Sequence, residues 1–219
     1  MTNKSTEQVK TFFDDYAKRF SSIYHEQQKN KIQRFLDKTW RKSMFLRFKR
    51  VSEIINETES KTVLDAGCGP GWHDLLLLKS QDVHVTGVDI APNMIEIAKQ
   101  QTSENGVADK CDFICMNLFD FDTKEKFDVV FALGVVEYFE KPEDIIKKMI
   151  SLSKRKVIFS IPVKNHWLTP QRVVRYKIRK CPLWFYTEKK IRDMFAEMNI
   201  TNFDIEKLSR DYLVIINTE

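Results

Sequence analysis

At 219 residues, 42% hydrophobic and with a net charge of +5, the chain can bury one sizeable core but not two full domains and a linker. Its four cysteines, Cys68, Cys111, Cys115 and Cys181, form no CxxC pair and no metal-ligand spacing with the four histidines, so neither a metal site nor a disulfide framework is expected. No apolar run approaches a membrane span or a signal core, and the expectation is a soluble, cytoplasmic protein without a membrane partner.

Residues 5–58 read as helical. Ile32, Phe35 and Leu36, then Met44, Phe45, Phe48, Val51 and Ile55 recur at three- and four-residue spacing, and no Gly or Pro intervenes before Gly67. Residues 1–58 are therefore expected to form a helical lid on a domain spanning 59–219. From Thr62 onward, short β-branched runs alternate with helical patterns. Strands are predicted at 62–66, 84–89, 111–116, 127–133 and 156–162, and helices at 71–80, 92–105, 141–152 and 188–198. Such alternation implies a parallel sheet with helices on both faces. Pro92 and Pro142 suit a helix's first turn, where the missing N–H is not needed, and Thr187 can cap a helix that begins at Glu188. The last predicted strands, 202–209 and 211–218, are separated by Arg210 alone. So short a link makes them an antiparallel hairpin.

The stretch VLDAGCGPGWHD, residues 63–74, carries the first chemistry. A glycine-rich turn between a strand and a helix lets a ligand approach the backbone, and the helix N-terminus behind it offers unpaired N–H groups. NAD, a flavin or S-adenosylmethionine would all suit such a turn. The dinucleotide fingerprint asks for a glycine three positions after the second one, and counting from Gly69 that position is Trp72. Here the spacing is Asp65-x-Gly67-x-Gly69-x-Gly71, with an acid directly before the loop. An acid there repels a pyrophosphate and suits the ammonium group of a methionine moiety. Asp89 closes the next predicted strand, 24 residues after Asp65, where a carboxylate can accept both ribose hydroxyls of an adenosine group in either kind of cofactor. After the third strand, Asn117 can hydrogen-bond an adenine edge while Ile90 and Leu118 pack on its faces.

Taken in order, VLDAGCGPG, VTGVDIAPNMIEIAKQ, FICMNLFDF and FDVVFALGVVEYF resemble the class I S-adenosylmethionine-dependent methyltransferases over about residues 62–218. The resemblance implies an α/β fold: a Rossmann-like, seven-stranded, mostly parallel sheet with helices on both faces, closed by a terminal antiparallel hairpin and covered by the N-terminal helical lid. It implies S-adenosylmethionine as the cofactor, held by Asp65, Gly67, Gly69, Gly71, Asp89, Ile90, Asn117, Leu118 and Leu133. Many members carry Asp where this chain has Asn117, and an amide oxygen also accepts from the adenine amino group. The segment KRFSSIYHEQQKNKIQRFL is similar to the lid of the magnesium-protoporphyrin O-methyltransferases, which esterify a propionate. By that match Tyr24 lies in the lid over the methyl group. That branch has His where this chain has Tyr138, so what carries over is the lid arrangement and an anionic acceptor.

Methyl transfer from a sulfonium is an in-line displacement whose leaving group is already excellent, so the protein mainly aligns the acceptor and excludes water. Tyr24 and Tyr138 are the candidate catalytic residues, meeting above the sulfonium; core packing with a satisfied hydroxyl is the plain alternative for both. Charge bears on the acceptor. Residues 1–57 hold 13 basic and 7 acidic side chains, and residues 163–180 hold six basic and no acidic ones, which leaves −7 for the other 144. In a substrate-binding insertion at about 163–186, Arg172, Arg175 and Arg179 recur at helical spacing and join His166 as candidate anion ligands, with Trp167 and Trp184 as walls. A solvated cationic helix is the alternative.

The loop after the fourth strand carries neither a Cys nor the Asn/Asp-Pro-Pro-aromatic segment of base-modifying amino methyltransferases. The expected partner is a small anionic acceptor, methylated on oxygen or nitrogen. A competing reading is an RNA-binding or RNA-modifying methyltransferase that uses the basic patches on phosphates, although no segment reads as an added RNA-binding domain. A regulatory subunit that has kept the fold and lost the chemistry is a second competitor.

Overall fold

The computed structural model describes residues 9–13, 31–178 and 181–219, except for the side chains of residues 31–42 and 175. One seven-stranded sheet runs through it, built from β1 (Thr62–Ala66), β2 (His84–Asp89), β3 (Cys111–Cys115), β4 (Phe127–Ala132), β5 (Ser153–Pro162), β6 (Phe203–Leu208) and β7 (Asp211–Asn217). The helices are α1 (Lys31–Glu57), α2 (Trp72–Ser80), α3 (Pro92–Glu104), α4 (Pro142–Leu152), α5 (Thr169–Ile178) and α6 (Glu188–Glu197), and residues 9–13 are helical too.

Across the sheet the order is β3-β2-β1-β4-β5-β7-β6. Strands β1 to β5 pair in parallel, and β7 enters antiparallel between β5 and β6, as the short link at Arg210 implies. The order reverses direction between β1 and β4. Open α/β sheets bind ligands at the carboxyl ends of the strands at such a switch point.

Local sequence accounts for the element ends. Pro92 and Pro142 open α3 and α4, and the Thr187 hydroxyl accepts from the Lys190 N–H at 3.3 Å to cap α6. Strand β5 starts at Ser153, three residues before the expected 156, because Ser153 pairs with Phe127 across a register shift and donates its hydroxyl to the Lys156 carbonyl at 2.9 Å.

Alternate strand residues supply two cores. Val63, Val129, Phe131 and Ile158 face α1 and α2, whereas Leu64, Val130, Ala132, Val157 and Phe159 face α4 and α6. The second half of α1 belongs to this packing. Phe48, Val51, Ile54 and Ile55 are all buried against the sheet, each worth roughly 1.5–3 kcal/mol. That half of the helix is a layer of the sandwich, and residues 9–13 form the described part of the N-terminal segment that reaches the strand ends. There Phe13 packs on Ala91 and Met94, just after β2.

Candidate active site

The glycine loop is pinned to its neighbours by backbone bonds. Gly67 N and Cys68 N both donate to the Val88 carbonyl, at 2.7 and 3.2 Å. Gly67 sits at φ +88°, and a Cβ there would lie 2.4 Å from Val135 Cγ2, so only glycine lets the loop close against the turn after β4. Gly69, at φ +52°, differs: a Cβ there would meet nothing within 4 Å, so the chain turns beside open space. Gly71 caps α2 in the left-handed conformation. Asp89 faces this loop. Its Oδ2 accepts from Gly69 N at 2.8 Å and its Oδ1 from Ala91 N at 2.9 Å, which fixes the plane of a half-buried carboxylate at the end of β2.

Two more acids bracket the loop, Asp65 ending β1 and Asp74 in the first turn of α2. Asp65 is 1% exposed and Asp74 0%. The two carboxyls hydrogen-bond to each other; beyond that contact Asp65 Oδ2 and both Asp74 oxygens meet no donor among the described residues. Burial first, then the charges of Asp74 and Asp89, push the Asp65 carboxyl well above the usual range. Burial raises Asp74 to about 7, against a lowering from its bond with Asp65.

The adenine-side candidates leave neighbouring strand ends, since Asp89 pairs with Cys115 across β2 and β3. Ile90 and Leu118 are half-buried. Asn117 Oδ1 accepts from Phe119 N at 3.2 Å, so the side chain shapes its own turn as well as facing this end of the sheet. Leu133 is half-buried against the α1 side of the sheet.

On the side expected to take the acceptor, Val136–Tyr138 form a single 3-10 turn after β4. The Tyr138 hydroxyl lies 3.2 Å from that of Tyr176 on α5, its ring meets Phe13 edge-on at 5.4 Å, and Phe12 lies 6.1 Å from Tyr176. Burial, with Tyr176 and Glu137 nearby, holds the Tyr138 phenol well above its ordinary value, so it stays protonated. Tyr138 thus sits under residues 9–13, while Tyr24 lies outside the described residues.

The arginines part company. Arg172 is only 7% exposed, with Nη2 donating to Glu137 Oε1 at 2.7 Å and Nη1 to Asp211 Oδ1 at 3.1 Å. Asp211 also accepts from Ser43 Oγ at 2.7 Å and pairs with Arg47 at 3.7 Å, and Arg47 donates to Ser160 Oγ at 2.9 Å. Arg172 therefore does not present its guanidinium to an acceptor as its helical spacing suggested. Two buried acids need its charge, and both of its terminal nitrogens are taken. Burial alone would raise Asp211, but Arg47 and Arg172 bring it below its ordinary range; at Glu137 burial outweighs Arg172 and leaves it raised. Arg175 lies on α5 with its side chain outside the described set, and Arg179 is likewise outside it. His166 Nδ1 accepts from Leu168 N at 3.2 Å, and burial together with Arg210 keeps its ring below the usual histidine value. Trp167 is 71% exposed, whereas Trp184 is half-buried and its backbone N–H donates to the Glu137 carbonyl at 2.9 Å.

The sequence pattern of the methyltransferase domain family matches residues 57–205, more than half of the chain. The chain belongs to this methyltransferase family. Malonyl-[acyl-carrier protein] O-methyltransferase of Acetivibrio thermocellus is 29% identical over 105 residues, 48% of this chain and 36% of that protein. Trans-aconitate 2-methyltransferase of Escherichia coli is 24% identical over 119 residues, 54% of this chain and 45% of that protein. The matched stretch thus spans less than half the length of these relatives. Among solved structures, magnesium protoporphyrin IX methyltransferase from Synechocystis PCC 6803 with bound S-adenosylmethionine has a TM-score of 0.73 at 21% identity, covering 99% of this chain and 98% of that one. The likeness is one of fold.

The residues of this methyltransferase domain fit S-adenosylmethionine. Open space at Gly69 lies beside a carboxylate tied to that residue's own amide, an arrangement that would suit a ribose, and the buried acids Asp65 and Asp74 would suit a cationic methionine moiety rather than a pyrophosphate. Sequence reasoning missed Asp74, Glu137, Asp211 and Tyr176. Asp74 left a trace, an acid three residues past the last loop glycine in a turn followed by four leucines. The others lie far apart in the chain, and only the fold brings them together.

Proposed function

We propose that the chain is an S-adenosylmethionine-dependent methyltransferase that transfers the methyl group to a small anionic acceptor. The observation that carries this reading is the Asp89 carboxylate, held by the Gly69 and Ala91 amides beside the open space at Gly69 in a family of methyltransferase domains. When bound, the donor supplies an electrophilic methyl on a sulfonium with a thioether as leaving group. Asp89 binds the ribose, and Asp65 with the loop faces the methionine end. Phe12, Phe13, Tyr138 and Tyr176 form an aromatic cover that excludes water from the acceptor side. Tyr138, kept protonated, orients the acceptor as a hydrogen-bond donor and is unsuited to be a base. A carboxylate acceptor needs no base, which is consistent with that.

The charge map supports an anion. Segment 163–180 keeps five basic residues and no acid once Arg172 is set aside as paired with Glu137 and Asp211. The acceptors named for two relatives, a malonyl group and trans-aconitate, are carboxylates. Charge neutralisation between acceptor and sulfonium as the bond forms would lower the barrier in a dry site.

A panel assay with methyl-labelled donor tests this reading against small carboxylates, amines, phenols and bulk RNA. The expected result is labelling of carboxylates that weakens with salt, with Tyr138→Phe lowering kcat while leaving donor affinity nearly unchanged. Labelling confined to amines or neutral acceptors would remove the anionic assignment. Labelling of RNA with a steep salt dependence would favour the nucleic-acid reading instead.

A further inference from the structure

The acid pair beneath the glycine loop does more than the donor reading asks of it. Asp65 stands two residues before Gly67 and Asp74 three residues after Gly71, so the loop begins and ends on the pair. Both side chains are almost wholly buried, they hydrogen-bond to each other, and among the described residues no Lys, Arg or His pairs with either. Two carboxyls in contact in such surroundings do not both ionise, because neither water nor a cation answers the second charge. One proton therefore stays between them.

The other titratable groups that act on the pair offer no relief. Asp89 on β2 adds a further negative charge, and the Cys68 thiol in the loop and the Cys111 thiol on β3 are both pushed towards the neutral form. His73, next to Asp74 in the chain, turns to α1, where it stacks on Phe48 at 5.1 Å and is kept neutral, at about 4, by burial and by Arg47.

We propose that Asp65 and Asp74 share one proton in the free protein and release it to solvent when the cationic end of the cofactor settles on the glycine loop, so that donor binding is coupled to deprotonation of this pair. The inference rests on the reading of the loop as the S-adenosylmethionine site. The balance is simple: one carboxylic O–H loses its proton to water, and the pair's second negative charge is answered by the ligand's ammonium instead. Donor affinity then rises with pH for as long as the free pair holds the shared proton, by about tenfold per unit at most; above about 7, where Asp74 titrates, that proton stays on Asp65, which burial and the Asp74 charge push well above the usual range.

The test is titration calorimetry with S-adenosylhomocysteine, whose ammonium keeps its proton in this range, at pH 6 and pH 8 in buffers of different ionisation enthalpy. The wild type is expected to release about one proton per ligand at pH 8, where Asp74 is ionised and Asp65 holds the shared proton, and at least as many at pH 6. Asp74→Asn, which removes the charge and the hydrogen bond that help to keep the proton on Asp65, is expected to release markedly less and to show a shallower dependence of affinity on pH. An infrared difference spectrum of the wild type, which needs no variant to fold, should show a protonated-carboxyl band disappear on ligand addition. Binding without proton release, release unchanged in Asp74→Asn, or no loss of that band would each overturn the proposal and leave the donor site standing. No binding at either pH would instead overturn the donor-site reading itself.

Discussion

Two pairs of buried acids lie at the same end of the sheet and are met in opposite ways. Glu137, after β4, and Asp211, opening β7, share Arg172, and Asp211 has Arg47 and Ser43 besides. Asp65 and Asp74 have each other. The first arrangement joins four separate pieces of the chain: α1 through Ser43 and Arg47, the 3-10 turn through Glu137, α5 through Arg172 and β7 through Asp211. Its charges are answered within the protein, so it works as a structural clamp on the side proposed to take the acceptor. The second arrangement is left short of positive charge beside a loop open to a ligand. Buried acids thus hold elements together at one place and, on the proposed reading, wait for a cation at the other.

Breaking the clamp should have the larger effect. Arg172→Met leaves Glu137 and Asp211 buried with one cation fewer, and is expected to lower unfolding stability by roughly 3–5 kcal/mol in urea titrations, with donor affinity changed far less. A loss within experimental error would mean that the clamp is not a unit.

The donor-side pair should show the opposite sign. Because the folded Asp74 carboxyl titrates near 7 rather than near its ordinary value of about 3.9, its contribution to stability is full below pH ~4 and is lost as the pH rises through 7. Without cofactor, Asp74→Asn is therefore expected to exceed the wild type in Tm by less at pH 5 than at pH 8. A variant less stable than the wild type at pH 8 would show that the ionised carboxylate is satisfied after all.

The two regions also differ in how far the sequence reveals them. The proposed donor site is legible because backbone geometry dictates residue type. Gly67 has no room for a Cβ against Val135, the glycines take positive φ, and a carboxylate must stand where β2 ends. The hairpin was readable for a similar local reason, the single residue Arg210 between two strand patterns. The acceptor side is specified by side chains that meet across the fold. Arg172 lies 35 residues from Glu137 and 39 from Asp211, so helical spacing could place it on a face but could not say that the face turns inward. Asn117 stands between these cases: its place after β3 was readable, but its bond to Phe119 N depends on a turn that the sequence only permits.

The most direct test of the donor site is calorimetric titration of the wild type and Asp89→Ala with S-adenosylhomocysteine at pH 8, where proton release from the acid pair is smallest. Loss of a charge-assisted hydrogen bond to the ribose, worth roughly 1.5–3 kcal/mol, should weaken binding by about 10- to 150-fold while the fold is retained. Wild-type affinity in Asp89→Ala, or a wild type that binds NAD tightly and S-adenosylhomocysteine not at all, would contradict the assignment of this loop to a methyl donor.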